Sequence, residues 1–154
     1  MTESHRDWRM IVLISVVHFI SHVHILALPP LYPLIRDEFG TSYATLGLLT
    51  VGYNLVTALL QTRMGRVTDR FGGLLVLHLA LGGAAIAFLL GTLGGGFLWL
   101  AACVMVAGIA NAVYHPADMS LLSSHVSKAR RSSAFAVHSV AGTAGFAAAP
   151  ILTG

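Results

Sequence analysis

Long apolar runs separated by short polar or glycine-rich breaks set the pattern of this chain. After a polar start, Met1 to Arg9, apolar runs cover residues 10–28, 43–61, 74–93, 97–122 and 133–154. At about 1.5 Å per residue, each approaches the roughly 30 Å depth of a bilayer's hydrocarbon layer. The pattern predicts an all-α integral membrane protein with four complete transmembrane helices and a fifth, truncated one still running at Gly154.

The breaks fix the threading. Gly65-Arg66-Val67-Thr68-Asp69-Arg70-Phe71-Gly72-Gly73 reads as a short charged turn between the second and third runs, its glycines allowing a sharp reversal. Such a turn cannot lie in hydrocarbon, so both flanking runs return to one membrane face. Asp69 is expected to face the positive end of the following helix or a neighbouring basic group. Residues 29–42, with three prolines, Arg36, Asp37 and Glu38, read as an outside loop with room for an extension of the first helix. Gly94-Gly95-Gly96 reads as a tight outside turn, and Ser123 to Ser132 as a second inside loop. With the N-terminus inside, eight of the nine basic residues fall on the cytoplasmic side and only Arg36 falls outside. Positive loops resist translocation, so this orientation is the expected one.

Composition narrows the class further. The chain is 56% hydrophobic with mean hydropathy +0.79, well beyond a soluble domain. The isoelectric point near 9.5 does not point to nucleic acid, because the cations sit in short clusters at the ends of apolar runs. The first run is too long for a signal-peptide core, carries His18, His22 and His24, and ends in Pro29-Pro30 without a small-residue cleavage site. The single cysteine, Cys103, lies within an apolar run and reads as a packing residue. No enzyme chemistry and no cofactor are expected.

Polar residues inside the spans carry the candidate chemistry, since they are costly in lipid unless they face protein or water. Ser15, His18 and His22 share one face of the first helix; Asn54, Thr57 and Gln61 share one face of the second; Asn111, His115 and Asp118 share one face of the fourth. The third has only His78. Helices one, two and four are therefore expected to line a polar interior, with the third mostly facing lipid. In the fifth, Ser139 and Thr143 suggest some polar lining, while Gly142 and Gly145 suit close helix packing. The serine, threonine and asparagine side chains also fit bonds to neighbouring helices, and the histidines fit either proton exchange or a packing role. A carboxylate such as Asp118, toward the cytoplasmic end of its helix, fits a solvated or helix-pairing role. His18 and His22 have a metal-compatible spacing, but no carboxylate or cysteine joins them on that helix, so no metal is expected. Pro116 removes a backbone hydrogen bond and should kink the fourth helix.

These residues resemble the major facilitator superfamily. Gly65 to Gly73 is similar to its loop motif between helices two and three, glycine-x-leucine-x-aspartate-arginine-x-glycine followed by basic residues, with Val67 in place of leucine and Gly73-Leu74 in place of the basic pair. Within the superfamily the chain most resembles the fosmidomycin resistance efflux group, through His18-Phe19, residues 30–34 (PLYPL), residues 108–117 (GIANAVYHPA), and residues 140–145 (VAGTAG) leading to Ala149-Pro150. The likeness implies a cytoplasmic gating loop at Gly65, Asp69, Arg70 and Gly72. It implies an antiporter-like packing segment at Gly142, Gly145 and Pro150, although Ala149 stands where that signature has glycine. Val104 replaces the helix-four arginine of many proton-coupled members, leaving His115 as the substitute candidate.

The family's twelve helices form two halves, so residues 1–154 are expected to be an incomplete N-terminal half-domain lacking its C-terminal partner. The implied function is a secondary transporter of a cell membrane, bacterial or archaeal, that exports a small molecule or drug in exchange for protons. His18, His22, Asn54, Thr57, Asn111, His115 and Asp118 are the coupling or cavity candidates. The alternatives are proton-coupled uptake of a metabolite, or a multi-helix membrane protein that binds a partner without transporting.

Overall fold

A computed structural model describes residues 3–154; Met1 and Thr2, part of the polar start, lie outside the described residues. Six α-helices follow in order: α1 (Glu3–Ile25), α2 (Tyr32–Phe39), α3 (Tyr43–Phe71), α4 (Gly73–Gly91), α5 (Gly96–His125) and α6 (Arg131–Thr153). Five segments are long and apolar enough to cross a membrane, the first running from α1 through the turn at Pro29 into α2. The stretch read as an outside loop is thus mostly helix. Tyr32 anchors it, its hydroxyl donating to Leu46 O at 2.9 Å and meeting Thr50 Oγ1 at 2.5 Å on α3. Gly40 ends α2 at φ 60, and the Ser42 hydroxyl caps α3 by accepting from Thr45 N at 3.1 Å.

The charged turn is shorter than the sequence suggests. Residues 65–71 form the last turns of α3, and the reversal is concentrated at Gly72, whose φ of 86 suits glycine alone. The Gly72 N–H closes the last turn on Thr68 O, so arginines and Asp69 protrude from a helix end instead of a loop.

Helix α5 is the hub, packing against α4, α3 and α1, while α6 packs chiefly against α1. Neighbouring contacts give the directions. Gly73 at the start of α4 meets Ala117 and Leu121 late in α5, and Gly91 meets Leu100 and Cys103 early in it, so these helices are antiparallel. Gly52 and Gly65 of α3 approach Met105 and Pro116 in the same order, so α3 and α5 are parallel. Asp7 and His18 pair with Ser127 and Asp118, so α1 runs against α5. The start of α1, the end of α3 and the α5–α6 connection therefore share one end of the bundle, and with them Arg6, Arg9, Arg63, Arg66, Arg70, Lys128, Arg130 and Arg131. That end is the cytoplasmic one by the charge rule.

Two apolar clusters hold the bundle. Ile11, Ile14, Leu77, Tyr114 and Leu122 pack toward the charged end, and Leu28, Leu49, Tyr53 and Val104 toward the other. In lipid, burying such groups gains nothing by transfer, so association depends on close fit and interhelical hydrogen bonds. On α4 the buried positions Gly73, Val76, Leu77, Ala80, Ala84 and Ala87 form one small-residue stripe against α5, while Leu75, Leu79 and Ile86 point outward. His78 is exposed and satisfies itself on Leu74 O at 2.7 Å. Helix α5 continues without interruption through Pro116.

Candidate functional site

The buried polar groups gather where α1, α5 and α6 meet. His18 and His22 lie one turn apart on α1, with ring centroids 4.3 Å apart. From α5, His115 approaches His18 to 4.9 Å and His22 to 6.0 Å. From α6, His138 stacks on His18 at 3.6 Å with the planes 19° apart. Asp118 lies at the base of the group, wholly shielded from solvent. His138 Nε2 donates to its Oδ2 at 3.1 Å, and His18 Nδ1 lies 3.4 Å from the same oxygen. Both histidines are as buried as the carboxylate they flank. Asp118 is therefore a helix-pairing carboxylate and not a solvated one.

Small residues make this approach possible. A Cβ at Gly142 would lie 2.6 Å from His18 Nε2 and 2.8 Å from His22 Cε1, and one at Gly145 would run into the carbonyl oxygen of Phe19. These two glycines let α6 press against the histidine face of α1. Pro150 lies on the exposed side of α6, away from that contact.

Not every polar residue of the sequence reaches the cluster. Asn54 is exposed, its Nδ2 donating to Thr50 O in its own helix at 2.9 Å. Thr57 donates to Gly108 O on α5 at 2.9 Å, a bond that ties α3 to α5. Asn111 is buried, with its Oδ1 unpartnered. Ser139 and Thr143, expected as lining, are exposed on a separate shallow groove with Val140 and Ala147. The buried polar layer is thus built by α1, α5 and α6, and α3 takes no part in it. What α3 supplies is a wall: Gln61, Thr62 and Gly65 face His115 and Pro116 across an open cavity of about 730 Å³. His115 belongs to both, joining the buried cluster to the cavity.

Polar periodicity alone does not single out His138. Its signal was its place one turn before Gly142, in the stripe Ala134, His138, Gly142, Gly145, Ala149, all buried. The polar pair Ser139 and Thr143 marks the adjacent, exposed face. Gly65, Asp69, Arg70 and Gly72, expected from the resemblance to form a gating loop, all lie at the end of α3, with Asp69 and Arg70 exposed. Among the described residues, Asp69 forms no salt bridge.

Five helical segments long and apolar enough to cross a membrane, gathered around a buried histidine–aspartate group beside a cavity, define a multi-pass membrane protein. The sequence model of the Major Facilitator Superfamily matches residues 14–154, and the chain belongs to that family. It is similar to the uncharacterized MFS-type transporter YfnC of Bacillus subtilis (strain 168), at 22% identity over 144 residues, covering 94% of this chain and 35% of that protein. It is likewise similar to the fosmidomycin resistance protein of Escherichia coli (strain K12), at 24% identity over 151 residues, covering 98% of this chain and 37% of that protein. The chain thus spans little more than a third of the length of these curated relatives.

Proposed function

We propose that this chain is the N-terminal part of a secondary transporter that exports a small molecule across a bacterial cytoplasmic membrane in exchange for protons. The remainder of the substrate site would come from a C-terminal half facing the cavity between α3 and α5. The observation that carries the reading is Asp118, a carboxylate removed from solvent and held between His18 and His138, with His115 connecting that group to open space. Ionisable groups are rare at such depth, and their usual work is to move charge. As the cavity alternates between the two faces, the imidazoles and Asp118 take up protons on one side and release them on the other. Gln61, which lines the cavity, is the neutral group assigned to substrate in this reading. Similarity to a fosmidomycin resistance protein supports export of a drug-like compound over uptake.

The test is flux in sealed vesicles containing the full-length transporter under an imposed pH gradient. Drug accumulation driven by an inward-acid gradient in inverted vesicles, with accompanying alkalinisation of the lumen, is the expected result. Accumulation in the opposite sense would identify a symporter, and gradient-independent flux would remove proton coupling altogether.

A further inference from the structure

His18, His22 and His115 bring three imidazoles from two helices to a single point, with one nitrogen of each within 4.8 Å of the others. Hydrogen bonding does not account for the arrangement. Both ring nitrogens of His22 are buried without a hydrogen-bond partner of good geometry. Behind the three, Asp118 Oδ2 sits 3.4 Å from His18 Nδ1 and is itself held by His138. A carboxylate behind one imidazole nitrogen fixes the ring and turns its other nitrogen outward, as in the outer shell of many metal sites. His115 borders the cavity, which gives an ion a way in.

We propose that His18, His22 and His115 bind a divalent transition-metal ion of the Zn²⁺ class, with its fourth coordination position facing the cavity. Neutral imidazole suits Zn²⁺, Co²⁺, Ni²⁺ or Cu²⁺, whereas Mg²⁺ and Ca²⁺ need oxygen ligands that this group does not offer. Tetrahedral bonds of about 2.0–2.1 Å would set the nitrogens about 3.4 Å apart, so the rings close by roughly an ångström. That is within reach of side-chain rotation. Three protein ligands with one position open is the arrangement of sites that exchange a ligand, and the open position would accept water or an anionic group of a substrate. The site shares its cavity with the transport reading but does not depend on proton coupling.

The test is Zn²⁺ binding to tag-free full-length protein in nanodiscs, by titration calorimetry and by the visible absorption of Co²⁺ displaced by Zn²⁺. One ion per chain with an intense tetrahedral Co²⁺ spectrum is expected. His22→Gln and His115→Gln should each weaken binding on the order of a hundredfold or more, and Asp118→Asn on the order of tenfold to a hundredfold. His78→Ala, on the exposed face of α4, should bind as the parent does. Circular dichroism and gel filtration of each variant separate lost ligands from lost fold. Absence of binding by the folded parent, or binding indifferent to His22→Gln and His115→Gln, would overturn the site. Zn²⁺ binding without gradient-driven export would leave the site standing and reject the transport reading; export without Zn²⁺ binding would do the reverse.

Discussion

Asp7, at the start of α1, and Ser127, just past the end of α5, are joined across the charged end of the bundle. The Ser127 hydroxyl donates to Asp7 Oδ2 at 2.5 Å and its backbone N–H to the same oxygen at 3.3 Å, while Arg130 Nε lies 3.9 Å away. Asp7 is wholly buried and its Oδ1 has no partner, so the carboxylate depends on this one side. Removing the serine hydroxyl leaves the buried carboxylate only its longer contacts to the Ser127 N–H and Arg130, whereas removing the carboxylate leaves a hydroxyl that water can reach. Ser127→Ala should therefore cost about 1–3 kcal/mol and exceed Asp7→Ala. Thermal unfolding in detergent gives the order; a larger loss for Asp7→Ala would mean that the carboxylate holds more than the Ser127 hydroxyl in place.

Alanine at Gly142 and at Gly145 should differ, although both positions lie in the same helix contact. The new methyl at 142 meets imidazole edges, which can rotate away; at 145 it meets the Phe19 carbonyl, which is backbone and cannot. Gly145→Ala should cost about 1–3 kcal/mol, and Gly142→Ala less than that. Equal unfolding midpoints for the two variants would mean that α6 sits farther from α1 than described.

The spans were legible because lipid imposes length and apolarity on every crossing segment, and residues 10–28 or 133–154 satisfy both without reference to their neighbours. Helix ends were less so. Charges begin just past Gln61, the expected end of the second span, yet α3 runs to Phe71, since arginines protruding from a helix end cost nothing once that end reaches water. The site was half legible. Periodicity placed His18 with His22 and His115 with Asp118, each pair on one helix, but cannot say which faces meet. That choice was made by Gly142 and Gly145, which turn His138 and not Ser139 toward α1, and by Thr57, which spends its hydroxyl on Gly108.

Asp69 stands exposed on the last turn of α3 with no salt bridge among the described residues. We expect its partner to form only in the state closed to the cytoplasm. Asp69→Asn in the full-length transporter should slow turnover by about tenfold, a loss of roughly 1.4 kcal/mol at the transition state, with substrate affinity nearly unchanged. Transport kinetics beside equilibrium substrate binding make the check. A variant that binds poorly but cycles normally would rule out the latch.

Asp118 and His138 allow the coupling reading to be separated from simple packing. Asp118→Asn keeps the shape and can still pair with His138, so the fold should survive with a loss of about 1–3 kcal/mol. What it removes is the charge that a proton neutralises. If the group couples transport to protons, uphill export under a pH gradient should vanish while downhill exchange of substrate persists. His138→Gln should give the same split, because it retains a donor for Asp118 without the imidazole. Counterflow assays beside gradient-driven flux decide the matter. Loss of both activities in a folded variant would make the pair a structural tie between α5 and α6, and retention of both would move the coupling element elsewhere in the protein.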